Sequence, residues 1–215
     1  MKDDTLFERC RKIATATWSD ALDQLKISGV VRGLVQRAGA DRTVGRARTA
    51  LEHVAPYGAY AFEDFAVGPV FDALGPGEFL VVDMGGAEVS TFGGLAALTA
   101  CLRGAAGVLI DGACRDAEEL SKSGLWVASR HLTPTSGKGR AKVLSTGIPV
   151  QCGGIIVREG DLIIADATGI VVAPAQRAEE VLALAEELTA KDDRFSVALR
   201  KGGTFREAAA ALKHA

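Results

Sequence analysis

Histidine and cysteine are scarce in this chain, three and four residues among 215, and aromatic side chains make up 6%. His53, His131 and His214 stand too far apart in sequence to suggest a zinc site. Cys10, Cys101, Cys114 and Cys152 are scattered without CxxC spacing. That excludes a disulfide scaffold and predicts reduced thiols in a cytoplasmic protein. Neither sign of charge dominates: 25 Lys and Arg face 27 Asp and Glu, for a net charge of −2. With no long basic run, neither nucleic acid nor a membrane is an expected partner. No apolar run approaches the roughly 20 residues of a membrane helix, and the charged start Met1-Lys2-Asp3-Asp4 carries no secretory signal. Gly85-Gly86 and Gly93-Gly94 do not fit GxGxxG, so a dinucleotide site is not expected. Ser136-Gly137-Lys138-Gly139 lacks P-loop spacing and reads as a solvated loop.

What is present is ordinary globular material, 48% hydrophobic and 24% charged, enough for one α/β domain over residues 1–215 with a helical extension from about 175. Helices are expected over Leu6–Thr15 and Ser19–Leu25, the second capped by Ser19. Val44–Val54 reads as a strand and Ala59–Leu74 as a helix-rich connection broken near Gly68-Pro69. Leu125–Arg130 reads as another strand and 131–147 as a loop. A β-rich block follows, with strands at Ile155–Val157, Leu162–Ala165 and Ile170–Val172. Val181, Leu184 and Leu188 share one face of an amphipathic helix over Ala178–Lys191.

The most informative stretch lies between. Phe79–Asp83 and Val108–Asp111 are short apolar runs bounded by glycine, as in buried parallel strands. Between them a helix starts near Gly94, with Leu95, Leu98 and Leu102 at helical spacing and expected to face inward. Strand, glycine loop, helix and strand make a right-handed crossover. Ligands in such sheets sit outside the carboxyl ends of the strands. The helix start at Gly93, Gly94, Leu95 and Ala96 offers unpaired N–H groups to an anion. Arg115 and Asp116, just past the second strand, face the same crevice.

Each constellation also has a bland reading. Asp116-Ala117-Glu118-Glu119 fits a capping box with Asp116 as N-cap of a short helix over Asp116–Ser123, leaving Arg115 as an exposed bystander. Asp161 and Asp166 sit beside glycine in tight turns and fit Asx geometry. Asp83 and Asp111, at strand ends, serve either a turn or a site. His131 reads as a surface or interface residue.

Three segments carry a family resemblance: Thr15-Ala16-Thr17-Trp18-Ser19-Asp20-Ala21-Leu22-Asp23, Gly107 through Asp116, and Gly153-Gly154-Ile155 with Gly160-Asp161 and Ile164 through Pro174. Together they span about Thr15 to Pro174. The chain resembles the family that joins the regulator of ribonuclease activity A to the 4-hydroxy-4-methyl-2-oxoglutarate aldolases.

The resemblance implies a swivelling β/β/α fold, a homotrimer or dimer of trimers, and sites between subunits. From the aldolase branch it implies that Arg115 binds a 2-oxo acid and that Asp116 holds a divalent metal, Mg²⁺ with Mn²⁺ as the alternative, through its water shell. It also implies that the backbone of Gly93, Gly94, Leu95 and Ala96 holds the substrate carboxylate. An acidic residue from a neighbouring subunit completes the set, with Glu186, Glu187, Asp192 and Asp193 as candidates. The chain departs from the branch at Gly94, twenty residues before Arg115, where the aldolases carry Asp. The expected activity is metal-dependent cleavage of small 2-oxo acids to pyruvate, by retro-aldol reaction or by decarboxylation of oxaloacetate. The rival is a non-catalytic regulator that binds and inhibits a ribonuclease, a role that needs a surface and no intact Arg-Asp pair.

Overall fold

The computed structural model describes residues 2–212; His214 lies outside them. Helices α1 (Lys2–Arg11) and α2 (Thr15–Gln24) lead into strands β1 (Val30–Val31), β2 (Val35–Ala38) and the long β3 (Thr43–Val54). A 3-10 turn at Phe62–Asp64 and the short α3 (Gly68–Asp72) precede β4 (Glu78–Asp83), β5 (Ser90–Phe92), α4 (Gly94–Leu102), β6 (Gly107–Cys114) and α5 (Ala117–Lys122). Then come β7 (Trp126–Leu132), β8 (Ala141–Thr146), β9 (Val150–Cys152), β10 (Ile155–Val157), β11 (Leu162–Ala165) and β12 (Ile170–Ala173). Two helices close the chain, α6 (Ala178–Arg200) and α7 (Phe205–Leu212).

The sheet runs β1-β12-β11-β3-β4-β6-β7-β2. Its centre, β3-β4-β6-β7, is parallel and its flanks are antiparallel. Burial explains the central sequences: Phe79 to Val82 and Val108 to Ile110 are covered on both faces, so they read as continuous apolar runs. On one face α3 and α4 pack Phe71, Ala97 and Ala100 onto Leu80, Val82 and Ile110. The β9–β10 hairpin covers the other face over Phe79, Val81 and Leu109. The antiparallel flank carries Trp18 and Leu22 of α2 and Val181 and Leu182 of α6 on Leu162 and Ile164.

Asp83 and Asp111 pin that hairpin. Asp83 accepts the Gly85 and Gln151 N–H groups, at 3.0 and 2.8 Å. Asp111 accepts the Gly153 N–H at 2.7 Å and is paired with Arg130 through both its oxygens. Both acids are therefore structural.

Several expectations are corrected. Helix α2 starts at Thr15, so Ser19 lies inside it; Ala14 is the N-cap residue and supplies no side-chain bond. Asp166 caps the helix from a distance, accepting the Thr15 N–H at 3.0 Å and the Thr15 hydroxyl at 2.6 Å. The same carboxylate also closes the expected Asx turn on Thr168, at 2.9 Å. The stretch read as a loop over 131–147 contains β8, which pairs with the second half of β3. The three-residue β5 was too short to show a period. Helix α6 runs nine residues past Lys191, to Arg200.

The largest correction concerns α4. Leu95, Leu98 and Leu102 are 83%, 53% and 79% exposed, and the helix turns Ala97 and Ala100 to the core instead. Small residues let α4 lie close to the sheet, while its leucines form an outward apolar row.

Candidate functional site

Strands β5 and β6 end side by side. They pair in parallel, with Phe92 opposite Cys114, and the Arg115 N–H donates to the Phe92 carbonyl at 3.0 Å. Each strand runs straight into a helix, β5 through Gly93 into α4 and β6 through Arg115 and Asp116 into α5. Two helix starts, each with unpaired N–H groups, therefore open at one place.

Asp116 adopts φ 56° and ψ 48°. This left-handed conformation costs a non-glycine residue roughly 1–2 kcal/mol. It also directs the side chain away from α5, which receives no cap bond from it. The carboxylate turns instead to α4, where Oδ2 accepts the Gly94 N–H at 3.0 Å. The capping-box expectation thus fails for a stated reason: the backbone turns the acid toward the neighbouring helix. Arg115 Nε lies 3.5 Å from the same oxygen. The two side chains remain 42% and 39% exposed, so this contact leaves both open to a ligand.

Both glycines are explained by close approach. A Cβ at Gly93 would collide with Asp116 Oδ2 and stand 3.0 Å from Arg115 Cγ. A Cβ at Gly94 would lie 2.9 Å from Glu119 Cβ and 3.3 Å from its Cγ. The space that a side chain at position 94 would enter is filled by Glu119, one turn into α5.

Gly93, Arg115 and Asp116 border a cavity of about 290 Å³ whose wall also includes Thr91, Ser136 and Lys138. Phe65 and Phe71 line its apolar side, and Leu95 and Ala96 reach it from α4. Of the expected carboxylate cradle, the Gly94 N–H is already engaged by Asp116, which leaves Leu95 and Ala96 as the helix-start donors for a ligand.

The sequence reading missed part of this wall. Ser136 and Lys138, assigned to a solvated loop, are drawn in because the Ser90 N–H donates to Thr135 at 2.9 Å and the Gly137 N–H to Ser90 at 2.7 Å. The Gly-Lys pair was a visible signal, but only the pairing with β5 gives it a place. Glu119 was missed as well; it stands in the first turn of α5, against the place a Cβ at Gly94 would take. His131 is half-exposed, 3.8 Å from Glu88, outside the cavity wall.

A family model described as RraA-like, Aldolase/RraA, matches residues 15–172. The chain belongs to the RraA-like family. Among its relatives, a 4-hydroxy-4-methyl-2-oxoglutarate aldolase of Thermus thermophilus is 33% identical over 140 residues, 63% of this chain and 78% of that one. A Methanocaldococcus jannaschii protein, MJ0644, is 32% identical over 127 residues, 59% of this chain; the match spans 61% of that protein's length. The solved structure of Streptomyces coelicolor RraAS2, described as an unusual member of the RNase ES inhibitor RraA protein family, superimposes with a TM-score of 0.78 at 26% identity. That match covers 88% of this chain and 94% of RraAS2. The mixed α/β architecture implied by the sequence resemblance is the fold of this family.

Among the described residues no group of three or more His, Cys, Asp or Glu is placed to cage a metal ion. Asp116 lines this cavity, and Glu119 lines a neighbouring depression between α4 and α5 together with Asp116, Gly94 and Leu95. Two carboxylates and open coordination positions suit Mg²⁺, which commonly keeps several waters. No helix among the described residues is long and apolar enough to cross a membrane.

Proposed function

We propose that this protein is a carbon–carbon lyase that cleaves small 2-oxo acids to pyruvate with the aid of a divalent cation, Mg²⁺ or Mn²⁺. The observation that carries the reading is Asp116, held in a left-handed turn so that its carboxylate and the Arg115 guanidinium meet at the start of α4. That turn aims the carboxylate at α4 and gives its own helix no cap bond. The aldolase named among the relatives supports the same class.

Arg115 offers a planar, permanently charged fork to the substrate's 2-oxo and carboxylate oxygens. The Leu95 and Ala96 N–H groups, at the positive end of the α4 dipole, receive the carboxylate. Lys138 across the cavity provides a second cation, which suits a dicarboxylic substrate such as oxaloacetate or 4-hydroxy-4-methyl-2-oxoglutarate. Asp116 and Glu119 would hold the metal, which when bound supplies Lewis-acid polarisation of the 2-oxo group. Negative charge grows on the 2-oxo oxygen as the carbon–carbon bond breaks, and Arg115 is placed to stabilise it there. Glu119 takes up the space opened by Gly94 and provides an acid at the place where the aldolase branch carries its own.

The exposed Leu95, Leu98 and Leu102 row supports self-association as a trimer or dimer of trimers. Because α4 carries both this row and the carboxylate cradle, assembly would set the cavity at a subunit boundary. Within its own chain Glu186 is engaged by Arg9 at 2.8 Å and Glu187 by Lys191 at 2.9 Å. The same row is the observation that favours the rival, a regulator docking on a ribonuclease, as the kinship with RraAS2 would suggest. Pyruvate release from a panel of 2-oxo acids, with Mg²⁺, with Mn²⁺ and with chelator, decides between them. Release that depends on the ion supports the lyase; no release from any acid, with ribonuclease inhibition instead, supports the regulator.

A further inference from the structure

A second cavity, of about 300 Å³, shares no lining residue with the first and has no place in the chemistry so far. It opens where the turn after β1, the β9–β10 turn and β7 meet, and Asp23, Ser28, Arg32, Gly33, Arg130 and Gly154 border it. Two of the three segments that carry the family resemblance come together here, Thr15 to Asp23 and Gly153 to Ile155, and the lyase reading uses neither. The backbone ties the wall together. The Arg32 N–H donates to the Gly153 carbonyl at 2.9 Å, and the Gly153 N–H donates to Asp111 at 2.7 Å.

Arg130 gives this cavity its chemistry. Its Nε and Nη2 lie side-on against the Asp111 carboxylate, Nη2 at 3.0 Å from Oδ2. A guanidinium carries five N–H donors, and a side-on pair engages two of them. The other three, two on Nη1 and one on Nη2, form the end of the fork and have no acceptor among the described residues. Nη1 is turned toward Gly33 at the cavity wall, where a Cβ would collide with it. Gly33, at φ 78°, therefore serves both the turn and the room that Nη1 occupies. Arg32 borders the same cavity, and its guanidinium makes no hydrogen bond or ion pair among the described residues. A fork fixed by an acid behind it and open in front is pre-organised for an oxyanion, so little side-chain freedom is lost on binding.

We infer that this cavity binds a small organic anion, its carboxylate or phosphate group on the open end of the Arg130 fork with Arg32 as a second cation, and a neighbouring ammonium or hydroxyl group of the ligand meeting Asp23. The balance of charge sets this class. Asp111 neutralises Arg130 in part, and Asp23, exposed at the rim, offsets Arg32. A bare anion therefore gains less here than a ligand that carries its own donor for Asp23. No residue of the first cavity takes part, so this site stands whether or not the protein is a lyase.

The test is calorimetric titration of the Arg115→Ala protein, in which the first cavity has lost its guanidinium. The probes are L-malate, L-aspartate and phosphoethanolamine, with inorganic phosphate as the anion that lacks a separate donor. At least one of the first three should bind saturably, one per chain, and more tightly than inorganic phosphate. Tighter binding of malate or aspartate assigns the anionic group as a carboxylate, and tighter binding of phosphoethanolamine assigns it as a phosphate. Arg130→Lys keeps a charge for Asp111 but removes the open end of the fork, and should weaken binding about tenfold or more. Arg32→Ala should weaken it by a similar factor. Asp23→Asn should weaken aspartate and phosphoethanolamine and tighten inorganic phosphate, because it removes a charge that attracts ammonium and opposes an oxyanion. Absence of saturable binding by every probe would overturn the site, as would affinities that Arg32→Ala and Arg130→Lys leave unchanged. Should Arg130→Lys fail to fold, having lost its hold on Asp111 and the hairpin, unchanged affinity in Arg32→Ala alone would overturn it. Inorganic phosphate binding as tightly as the best of the other probes would overturn the part given to Asp23 and the ligand class with it.

Discussion

Two aspartates in this molecule each cap a helix that is not their own, and they do it in opposite ways. Asp166 reaches the start of α2 and collects the Thr15 N–H, the Thr15 hydroxyl, the Thr168 N–H and a contact with Arg42 at 3.3 Å. Its residue is only 8% exposed. Asp116 reaches the start of α4, collects one N–H, keeps its side chain 39% exposed and bears a left-handed backbone. The motif is shared, but the number of satisfied oxygen lone pairs differs. A saturated carboxylate has nothing left for a ligand and can only hold structure. An unsaturated one in a left-handed turn retains the capacity to bind, which is why the proposed site is put at Asp116 and not at Asp166.

The largest expected effect breaks the Asp116 side of the comparison at its neighbour. Arg115→Lys keeps the charge but loses the fork, so kcat/KM should fall about 10²–10³-fold, the range found when one oriented donor to a developing oxyanion is removed. Its melting temperature should stay near that of the wild type, since Arg115 makes its contacts at the surface. Unchanged kcat/KM would remove Arg115 from the chemistry.

Asp166→Ala probes the other side and should show the reverse pattern. Removing it leaves the buried Thr15 groups unpaired and should cost about 2–4 kcal/mol in chemical denaturation. The folded fraction should keep its kcat/KM. The pH dependence sharpens this further. Burial alone would raise the Asp166 carboxyl, but the bonds from Thr15, Thr168 and Arg42 outweigh it and hold the group below the ordinary carboxylate value. The folded state therefore binds this proton less tightly than the unfolded chain. The stabilisation is fully present above the unfolded value, about 3.9, and is lost as pH falls through the lower folded value. An acid-unfolding midpoint that Asp166→Ala leaves unmoved would contradict the assignment.

Much of this was legible in the sequence, and the exceptions share a cause. The buried strands announced themselves because Phe79–Val82 and Val108–Ile110 are apolar on both faces, and the Arg115-Asp116 step after a strand end was equally visible. What failed was anything decided by a partner remote in sequence. The cap of α2 lies 151 residues away at Asp166. The place of Ser136 and Lys138 depends on Ser90. The α4 leucines misled for a different reason. A helical apolar period shows that a face is covered without showing by what, and here the alanines meet the sheet.

The next effect concerns Gly94 and its occupant. Gly94→Asp brings a Cβ to 2.9 Å from Glu119 Cβ, so the single variant should be overpacked and destabilised by about 1–3 kcal/mol. Shortening the opposing residue should relieve it. The double variant Gly94→Asp with Glu119→Ala should regain stability and metal-dependent turnover, because the acid is then supplied from the other wall. The ratio of aldol cleavage to oxaloacetate decarboxylation should rise in the double variant above the wild-type value. Equal destabilisation in the single and double variants would show that Glu119 does not occupy the space of a side chain at 94.

The smallest expected effect on stability tests the comparison at its centre. Asp116→Asn preserves both structural features of the residue. Asparagine tolerates the left-handed region as readily as aspartate, and its amide oxygen can accept the Gly94 N–H. Stability should therefore move by no more than about 0.5 kcal/mol, as for a surface change that breaks no packing. The carboxylate charge is gone, so the response of activity to Mg²⁺ and Mn²⁺ should be lost. That pairing of an undisturbed fold with a missing metal response is what an unsaturated acid predicts and a capping acid does not. If Asp116→Asn destabilises the protein as strongly as Asp166→Ala, the two aspartates do the same work, and the left-handed turn exists to cap α4 alone.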